Sequence, residues 1–396
     1  MKQKATLLCI SMTPWHGDYL KSTVELMKQA SSTVDVIFLD YQFTWKDILI
    51  GILKPSSNIP WKNALGIKHR LQKIKVSEHQ SVQLITPFPI IPSFWIGNRI
   101  LFGWVNRINQ FLVLSNLRSF LAHKEIVPDC ILTAFNPFMG LGITRYFPNK
   151  PHFYYCYDEI GAAHWLKNHG EYLEKKLIQE VNASIFTSNF LQQKKTSSHQ
   201  PSHVVTNGVD LKNFKPFAKN CPNTLPLKKV GYLGSIDDRL DVNLLKEVMN
   251  SNPSFELHFV GRVVHQEVAE ELKSIRQTFL APPVAIDEVP RVMASLDAGI
   301  IPYVKNEFTE AIYPLKINEY LAIGLPVLMT PFALLNEFEG EVKVSGEAVV
   351  FKSLLEELLA SDSEEKIHKR QKLADQNSWA NKSRELLAIL NLAENG

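Results

Sequence analysis

Cysteine is scarce in this sequence of 396 residues, which holds only four of them. Cys9, Cys130, Cys156 and Cys221 are far apart, form no C-x-x-C pair and lack the spacing of metal ligands. We therefore expect neither a disulfide framework nor a cysteine-based metal site. The four thiols fit reduced core positions in a cytoplasmic protein.

Long uninterrupted apolar runs are also missing. The apolar run at residues 5–10 is too short for a secretory signal and predicts a first strand. Residues 84–121 are strongly apolar, but they are interrupted by Pro87, Pro89, Pro92, Arg99, Arg107 and Arg118. This pattern excludes a transmembrane span. It leaves two alternatives, which are a loop and helix that dip into a membrane, or a helix of the protein core.

Negative charge is sparse in the first part of the chain. Residues 1–150 contain 17 Lys and Arg against 8 Asp and Glu, a balance of +9, whereas the remainder has 26 against 32, a balance of −6. Such a basic segment fits nucleic acid, an anionic membrane surface or an anionic substrate. The basic side chains of residues 41–81 alternate with apolar ones such as Trp45 and Trp61. From Trp61 onward this predicts either a basic amphipathic helix on a membrane or a solvated helix packed by its apolar face. A nucleic-acid role is disfavoured because no binding motif is present.

The remaining composition is that of an ordinary globular protein. Hydrophobic residues make up 45% and charged residues 21%, and the length suffices for two domains that each have a core. A strand at 5–10, a helix at 19–30 and a strand at 34–39 form a β-loop-α-β opening, and the pattern restarts at 229–233. We therefore predict an α/β fold of two doubly wound, Rossmann-like domains with ligands at the carboxyl ends of their strands.

The most informative stretch is YPLKINEYLAIGLPVLMT at residues 313–330, which predicts a short helix followed by a buried strand. Pro314 suits a first helical turn, Gly324 can end the helix in the left-handed conformation, and Pro326 prevents it from resuming. The helix would carry Lys316, Glu319 and Tyr320 on one face and its core residues on another. Because a helix N-terminus offers free N–H groups and partial positive charge, a phosphate could bind there. Alternatively, Lys316 and Glu319 form a solvated surface pair.

The fourteen residues Pro314–Val327 read Pro-x-Lys-x-x-Glu-Tyr-Leu-Ala-x-Gly-x-Pro-Val. This motif resembles the donor-site helix of GT-B glycosyltransferases, near the family-4-like and teichuronic-acid-type enzymes. The resemblance implies two Rossmann-like domains facing a cleft. It also implies that the helix start, with Tyr313, Pro314, Leu315 and Lys316, binds a nucleotide diphosphate, and that Glu319 contacts the ribose. An Asn-Gly-Val-Asp turn at 207–210, which is frequent at the end of the first domain in these enzymes, supports the resemblance, although Asn-Gly is also a common turn pair.

The resemblance assigns further donor contacts. Gly17 and Gly234 follow the first strand of each domain, where a glycine lets the backbone approach the donor. Arg239 would help to neutralise the diphosphate, and Gly261 with Arg262 forms another loop at a strand end. The nucleotide base would lie near Tyr303.

The candidate catalytic residues are carboxylates and a histidine. Asp158 and Glu159 follow the predicted strand 152–156, and an inverting transfer needs a general base there. We predict Asp158 as the base and Glu159 as the second candidate, with a helix-capping carboxylate as the alternative. His16 has either a role in the cleft or an ordinary place in a loop. Retaining relatives carry Glu-x7-Glu, but Ala311 occupies the first of these positions and Glu310 is one residue out of register. The stereochemistry therefore stays open.

The predicted domains are an N-terminal acceptor-binding domain at 1–214, a linker at 215–227, a donor domain at 228–376 and a C-terminal helix at 377–396 that returns to the first domain. The predicted function is a hexosyltransferase that moves a sugar from a UDP- or GDP-sugar to a glycan or lipid-linked acceptor in cell-surface polysaccharide synthesis. Neither a metal nor a separate cofactor is expected, since no D-x-D pair is present and Lys316, a helix N-terminus and Arg239 supply positive charge.

Two other functions remain open at this point. Sugar-nucleotide epimerases can share the fold and need no acceptor, and a noncatalytic partner that binds nucleotide sugar or glycan fits the same motif. The partners expected for the transferase are a nucleotide-sugar donor, the acceptor and a peripheral contact with the inner membrane surface, but no nucleic acid.

Overall fold

The structure is a computed structural model that describes residues 4–17, 20–54, 57–162, 164–196, 200–251, 253–338 and 340–393. The chain forms two compact units. Unit 1 consists of residues 1–206 and 382–396, and unit 2 consists of residues 207–381. None of the described helices is long and apolar enough to cross a membrane.

The described part of unit 1 contains an eight-stranded sheet in the order β3-β4-β2-β1-β5-β6-β7-β8. All neighbours are parallel except β3 and β4. The strands are β1 (Thr6–Ser11), β2 (Asp35–Leu39), β3 (Leu71–Lys75), β4 (Ser81–Ile85), β5 (Cys130–Ala134), β6 (His152–Cys156), β7 (Ala183–Phe186) and β8 (Ser202–Val204). The inner strands β5 and β6 are buried at every position, as expected for parallel strands covered on both faces.

The helices of unit 1 cover this sheet. They are α1 (Ser22–Ala30), α2 (Trp45–Leu53), α3 (Trp61–Ala64), α4 (Arg99–Gln110), α5 (Asn116–His123), α6 (Pro137–Gly140), α7 (His164–Lys167), α8 (Gly170–Glu180) and α9 (Asn189–Lys195). A π-helical turn at Phe111–Ser115 joins α4 to α5. Two of the predicted elements differ. The helix expected from Tyr19 begins at Ser22, and Tyr19 itself lies outside the described residues. The basic segment after Trp61 forms the short α3 and then β3, because Leu71–Lys75 pairs with β4 in an antiparallel hairpin.

Unit 2 contains a parallel sheet, with six strands among its described residues, in the order β11-β10-β9-β12-β13-β14. The strands are β9 (Lys228–Leu233), β10 (Phe255–Val260), β11 (Thr278–Ala281), β12 (Ala298–Ile301), β13 (Val327–Met329) and β14 (Val342–Val344). The helices are α10 (Leu211–Phe214), α11 (Val242–Asn250), α12 (Gln266–Lys273), α13 (Val289–Ala294), α14 (Glu307–Ala311), α15 (Leu315–Ile323), α16 (Ala348–Ala360) and α17 (Glu364–Gln376). One core cluster runs through this unit.

The last helix, α18 (Trp379–Ile389), begins in unit 2, and its residues from Lys382 onward belong to unit 1. The Ser383 hydroxyl donates to the carbonyl oxygen of Leu26 in α1. The described units divide at 206/207 and 381/382, whereas the predicted limits lie at 214 and 376. Asn207 belongs to unit 2 because its side chain donates to the carbonyl oxygen of Tyr313 at 3.0 Å. The predicted limits stay predictions, and residues 394–396 of the predicted C-terminal helix lie outside the described residues.

Candidate functional site

Helix α15 follows the short α14 between β12 and β13, and it begins at Leu315, one residue after the predicted first-turn Pro314. Pro314 is the N-cap and supplies no side-chain cap, so the first turn keeps N–H groups available for an anion. The helix ends at Gly324, whose φ of 94° is left-handed and whose N–H donates to Tyr320 and Leu321. Leu315 and Lys316 are half-buried in the first turn. The nine residues of α15 thus provide a helix N-terminus with a lysine in its first turn.

Two of the predicted glycines bring backbone close to this lysine. Gly234 follows β9, and a Cβ atom placed on it would lie 2.7 Å from Lys316 Nζ and 2.9 Å from the Tyr232 hydroxyl. Gly261 follows β10, and a Cβ atom there would overlap the carbonyl oxygen of Gly234. The two loops therefore lie backbone against backbone, and the Lys316 ammonium lies beside them. This close approach is possible because neither loop carries a side chain at these positions.

A pair of buried tyrosines lies beneath the same lysine. The hydroxyls of Tyr232 and Tyr303 are 3.0 Å apart. The Lys316 ammonium is 5.1 Å from the ring centroid of Tyr232, and the Arg239 guanidinium is 5.2 Å from that of Tyr303. Burial raises the pKa of Tyr232. Burial also acts to raise the pKa of Tyr303, but the charges of Lys316 and Arg239 outweigh it and lower that pKa.

Arg239 is held by an acidic neighbour. Its Nε and Nη2 atoms donate to the two carboxylate oxygens of Asp237 at 2.8 and 2.6 Å. Burial acts to lower the pKa of Arg239, but the hydrogen bonds to Asp237 outweigh this effect, and the pKa is raised. The Arg239 side chain is about one-fifth exposed. Its two hydrogen bonds to Asp237 fix the orientation of the guanidinium. Arg262, in the loop after β10, is exposed, and its carbonyl oxygen accepts from Ile236.

Other residues of the α15 motif are half-buried or buried. Glu319 is half-buried, and burial raises the pKa of its carboxyl against the opposing effect of Lys316. Tyr313 is buried, and its hydroxyl accepts from Asn318 at 3.3 Å. Tyr320 was expected on the face of Lys316, but it is a core residue. Its hydroxyl accepts from the N–H of Leu233 and donates to the carbonyl oxygen of Gly231, which ties α15 to β9.

The catalytic candidates of unit 1 follow β6. Asp158 is half-buried, and its Oδ1 accepts from the N–H of Glu159 at 2.8 Å. Glu159 is buried between Lys194 at 2.8 Å and Lys195 at 3.2 Å. Lys195 also contacts Glu174 at 2.7 Å. Although burial acts to raise the pKa of Glu159, these lysines and the Gly161 N–H lower it. Glu159 is therefore an ion-paired carboxylate with a lowered affinity for protons.

The loop after β1 is organised by a lysine that sequence reasoning missed. The Lys21 ammonium donates to the carbonyl oxygens of Pro14 and His16 at 2.6 and 2.5 Å. A Cβ atom at Gly17, whose φ is 154°, would lie 2.5 Å from that ammonium. The His16 side chain is exposed. Each unit thus has a glycine that follows its first strand and lies against a lysine ammonium.

A second group of missed residues lies at the carboxyl ends of β1, β2 and β5. Asp40 accepts from the Trp15 N–H at 2.7 Å, and burial raises the pKa of its carboxyl. Asn136 donates to Gln42 at 2.6 Å. The preceding residue, Phe135, has a φ of 52°, which is uncommon for a residue that is not glycine. Such outliers cluster at functional sites. The available signal was a polar residue within two positions of the end of β2 and of β5.

Among the described residues, no group of three or more His, Cys, Asp and Glu side chains is placed to hold a metal ion. The charged groups described around the start of α15 are Lys316, Arg239, Asp237 and Glu319.

Comparison of the sequence with known proteins gives one partial match. No protein-family profile matches. A protein of Bacillus subtilis strain 168, provisionally named as the teichuronic acid biosynthesis glycosyltransferase TuaH, is 30% identical over 168 residues. The match covers 40% of this chain and 42% of that relative, so it spans less than half of the relative's length.

Solved structures match over nearly the whole chain. Sucrose-phosphate synthase from Thermosynechococcus elongatus gives a TM-score of 0.69 at 14% identity, over 98% of both chains. The trehalose-6-phosphate synthase OtsA gives 0.66 at 10% identity, and Anabaena HepE in complex with UDP and glucose gives 0.62 at 12%. Each of these two matches covers 98% of this chain and 99% of the other. The chain therefore has the GT-B fold of two Rossmann-like domains, and the resemblance to GT-B glycosyltransferases of the teichuronic-acid type that Pro314–Val327 indicates is confirmed.

Proposed function

We propose that this chain is a hexosyltransferase that moves a sugar from a UDP- or GDP-sugar to a glycan or lipid-linked acceptor in cell-surface polysaccharide synthesis. The observation that carries the proposal is the Lys316 ammonium beside the Gly234 backbone, at the uncapped N-terminus of α15. A lysine and free N–H groups together match the charge and the acceptor oxygens of a diphosphate. The complex of Anabaena HepE with UDP and glucose supports UDP as a first nucleotide to test.

Donor binding is assigned to residues 228–376 and acceptor binding to residues 1–214, with 215–227 as the linker and 377–396 as a C-terminal helix of the first domain. Lys316 would contact the diphosphate with Tyr313, Pro314 and Leu315 at the helix start and Gly234 and Gly261 beside it. Glu319 would contact the ribose, and Tyr303 would lie near the nucleotide base. Gly17 and Arg262 would complete the donor contacts.

The proposed transfer is inverting. Asp158 accepts the proton of the acceptor hydroxyl, whose oxygen then forms a bond to the anomeric carbon of the sugar. The bond from that carbon to the diphosphate oxygen breaks, and the diphosphate leaves with the electron pair. Lys316, the N–H groups of α15 and Arg239 stabilise the charge that develops on the diphosphate, so that no divalent ion is required. His16 and Glu159 are placed as supporting residues rather than as the base.

We propose a cytoplasmic location, at the inner face of the plasma membrane, where a lipid-linked acceptor would lie. Transfer assays with lipid-linked and with free glycan acceptors test the acceptor class.

The test is calorimetric titration with UDP and GDP, followed by their sugars and a transfer assay with labelled donor. We expect one diphosphate to bind and Lys316→Ala to weaken it by about 10- to 100-fold, because a charge-assisted hydrogen bond is lost. Lys273→Ala is the matched control, since Lys273 is an exposed lysine of unit 2 whose ammonium pairs with Glu270 of α12 at 2.9 Å. Failure of every nucleotide to bind would overturn the proposal. Turnover of the sugar nucleotide without an acceptor would favour an epimerase, and binding without turnover would favour a noncatalytic partner.

A further inference from the structure

Helix α4 is amphipathic, but polar side chains lie on its buried face and apolar side chains lie on its exposed face. Its buried face carries Asn106, Asn109 and Gln110 beside Phe102. Asn106 and Gln110 donate to the carbonyl oxygen of Phe138 at 3.1 and 2.7 Å. Their amides are therefore satisfied by backbone in unit 1, which is what a buried polar side chain requires.

The opposite face of α4 is apolar and points to solvent. Ile100, Trp104, Ile108 and Phe111 recur at i, i+4, i+8 and i+11, and they are 75%, 61%, 47% and 62% exposed. Trp95 precedes the helix and is 77% exposed. Single exposed apolar residues are ordinary, but a continuous helical stripe of them marks an interaction site.

Helix α2 also exposes apolar side chains. Ile48 and Gly51 are its buried residues, whereas Trp45, Leu49, Ile52 and Leu53 are exposed. Residues 88–91 connect the two helices: the Trp45 N–H donates to the carbonyl oxygen of Ile90 at 3.0 Å, and the Ile91 N–H donates to Asn109 of α4 at 2.8 Å. We call α2, residues 88–91 and α4, with Trp95 and Phe111, the basic apolar surface.

Positive charge accompanies these apolar residues. Residues 41–123 contain ten Lys and Arg against two Asp and Glu, a balance of +8. Asp47, one of the two acidic residues, is occupied in the capping box of α2. The Arg70 guanidinium stacks 3.1 Å from the ring centroid of Phe88, and that of Arg107 lies 5.7 Å from the ring of Trp104. The cations are therefore interleaved with the exposed aromatic rings.

We propose that the basic apolar surface docks on an anionic lipid bilayer. The apolar stripes would enter the boundary between head groups and acyl chains, while Lys46, Lys54 and Arg107 would contact the anionic head groups. The charge and the apolar stripes of the surface disfavour two other binding partners. A second copy of this chain would bring two surfaces of the same sign together, and a nucleic acid would leave the apolar stripes in water.

Vesicle sedimentation tests this proposal. The vesicles contain phosphatidylglycerol and phosphatidylcholine in equal amounts, and phosphatidylcholine vesicles serve as the neutral comparison. We expect the triple variant Ile100→Ser/Trp104→Ser/Phe111→Ser to bind the anionic vesicles about 100-fold more weakly, because three apolar side chains lose their burial. Lys46→Gln/Lys54→Gln/Arg107→Gln should lose about fivefold per charge, and salt should weaken wild-type binding.

The matched controls are Val349→Ser, which alters an apolar residue of α16 that is 82% exposed, and Lys175→Gln, which alters an exposed lysine of α8. Both should bind as the wild type does. The proposal is overturned if the triple variant binds unchanged, if neutral vesicles bind equally well, or if sedimentation velocity shows a dimer that the triple variant abolishes while vesicles do not bind.

A second measurement does not depend on the variants folding. Brominated lipids in anionic vesicles should quench the tryptophan fluorescence of the unaltered protein, because Trp45, Trp95 and Trp104 lie on the basic apolar surface. Absence of quenching at saturating lipid would overturn the proposal. The vesicles contain no sugar nucleotide and no acceptor, so this result is independent of the proposed transferase activity.

Discussion

Replacement of Gly234 by alanine tests the geometry of the donor site. The added methyl would collide with the Lys316 side chain and lie 2.9 Å from the Tyr232 hydroxyl. Gly234 also has a φ of 158°, in the range that side chains rarely adopt. Such backbone strain costs about 1–3 kcal/mol. We expect unit 2 to lose stability by that amount, and nucleotide diphosphate affinity to fall by about 10- to 100-fold as Lys316 is displaced.

Two further variants separate the effect of backbone strain at Gly234 from the effect of displacing Lys316. Gly340→Ala is the control for strain, because Gly340 has a φ of 88° but a Cβ atom there meets nothing within 4 Å. Gly340→Ala should lower the unfolding temperature without weakening the binding of the nucleotide. The double variant Gly234→Ala/Lys316→Ala should bind no worse than Lys316→Ala alone, since effects that act through one contact are not additive.

The assays are thermal unfolding with circular dichroism and calorimetric titration with the nucleotide that the wild type binds. Wild-type affinity in Gly234→Ala would refute the placement of Lys316 in the site. Fully additive losses in the double variant would show that the glycine acts by another route.

Three further predictions concern unit 1. Lys195→Met leaves Glu159 and Glu174 buried without their shared cation, so denaturant unfolding should show a loss of about 3–5 kcal/mol, whereas the exposed Lys175→Met should change little. Burial lowers the pKa of His152 to about 4, so the unfolded chain binds the extra proton between pH 6.5 and 4, and stability should fall by up to about 3 kcal/mol as the pH drops through that window. His152→Gln should flatten this slope in urea titrations at several pH values, and a wild-type slope in that variant would contradict the assignment; the exposed His203→Gln should keep it. Asp158→Asn should abolish transfer while nucleotide affinity is kept, and NMR of the wild-type product should show the inverted anomer; retained configuration would reject Asp158 as the base.

The part of the structure that could be predicted is the part set by local signals. Pro314 and Gly324 mark the ends of α15 because proline and glycine restrict or permit particular backbone angles within one turn. Strand β6 has the predicted limits, 152–156, because it is a short apolar run bounded by polar residues or turns. The sequence predicts Gly234 and Gly261 near the donor, and the structure places Gly234 beside Lys316 and Gly261 against the backbone of Gly234.

What could not be predicted depends on contacts between distant residues. The helical pattern groups Tyr320 with Lys316, but Gly299 on the neighbouring strand leaves room for its ring, and the hydroxyl bonds to β9. The sequence does not indicate that Lys194 and Lys195, more than thirty positions later in the chain, lie beside Glu159. The outward apolar face of α4 likewise follows from the distant carbonyl oxygens that bind its amides.

The division of unit 1 between residues 1–206 and 382–396 has a consequence for how the chain is made. Ser383 contacts α1, and Leu386, Leu387 and Leu390 are buried. A ribosome that adds about 5–20 residues per second needs roughly 10 to 40 seconds to pass from the end of the first segment to these leucines. Throughout that interval unit 2 can complete its own sheet, while the site for the last helix in unit 1 is open to chaperones. Unit 2 is therefore expected to reach its final state first, although the first segment of unit 1 leaves the ribosome before it.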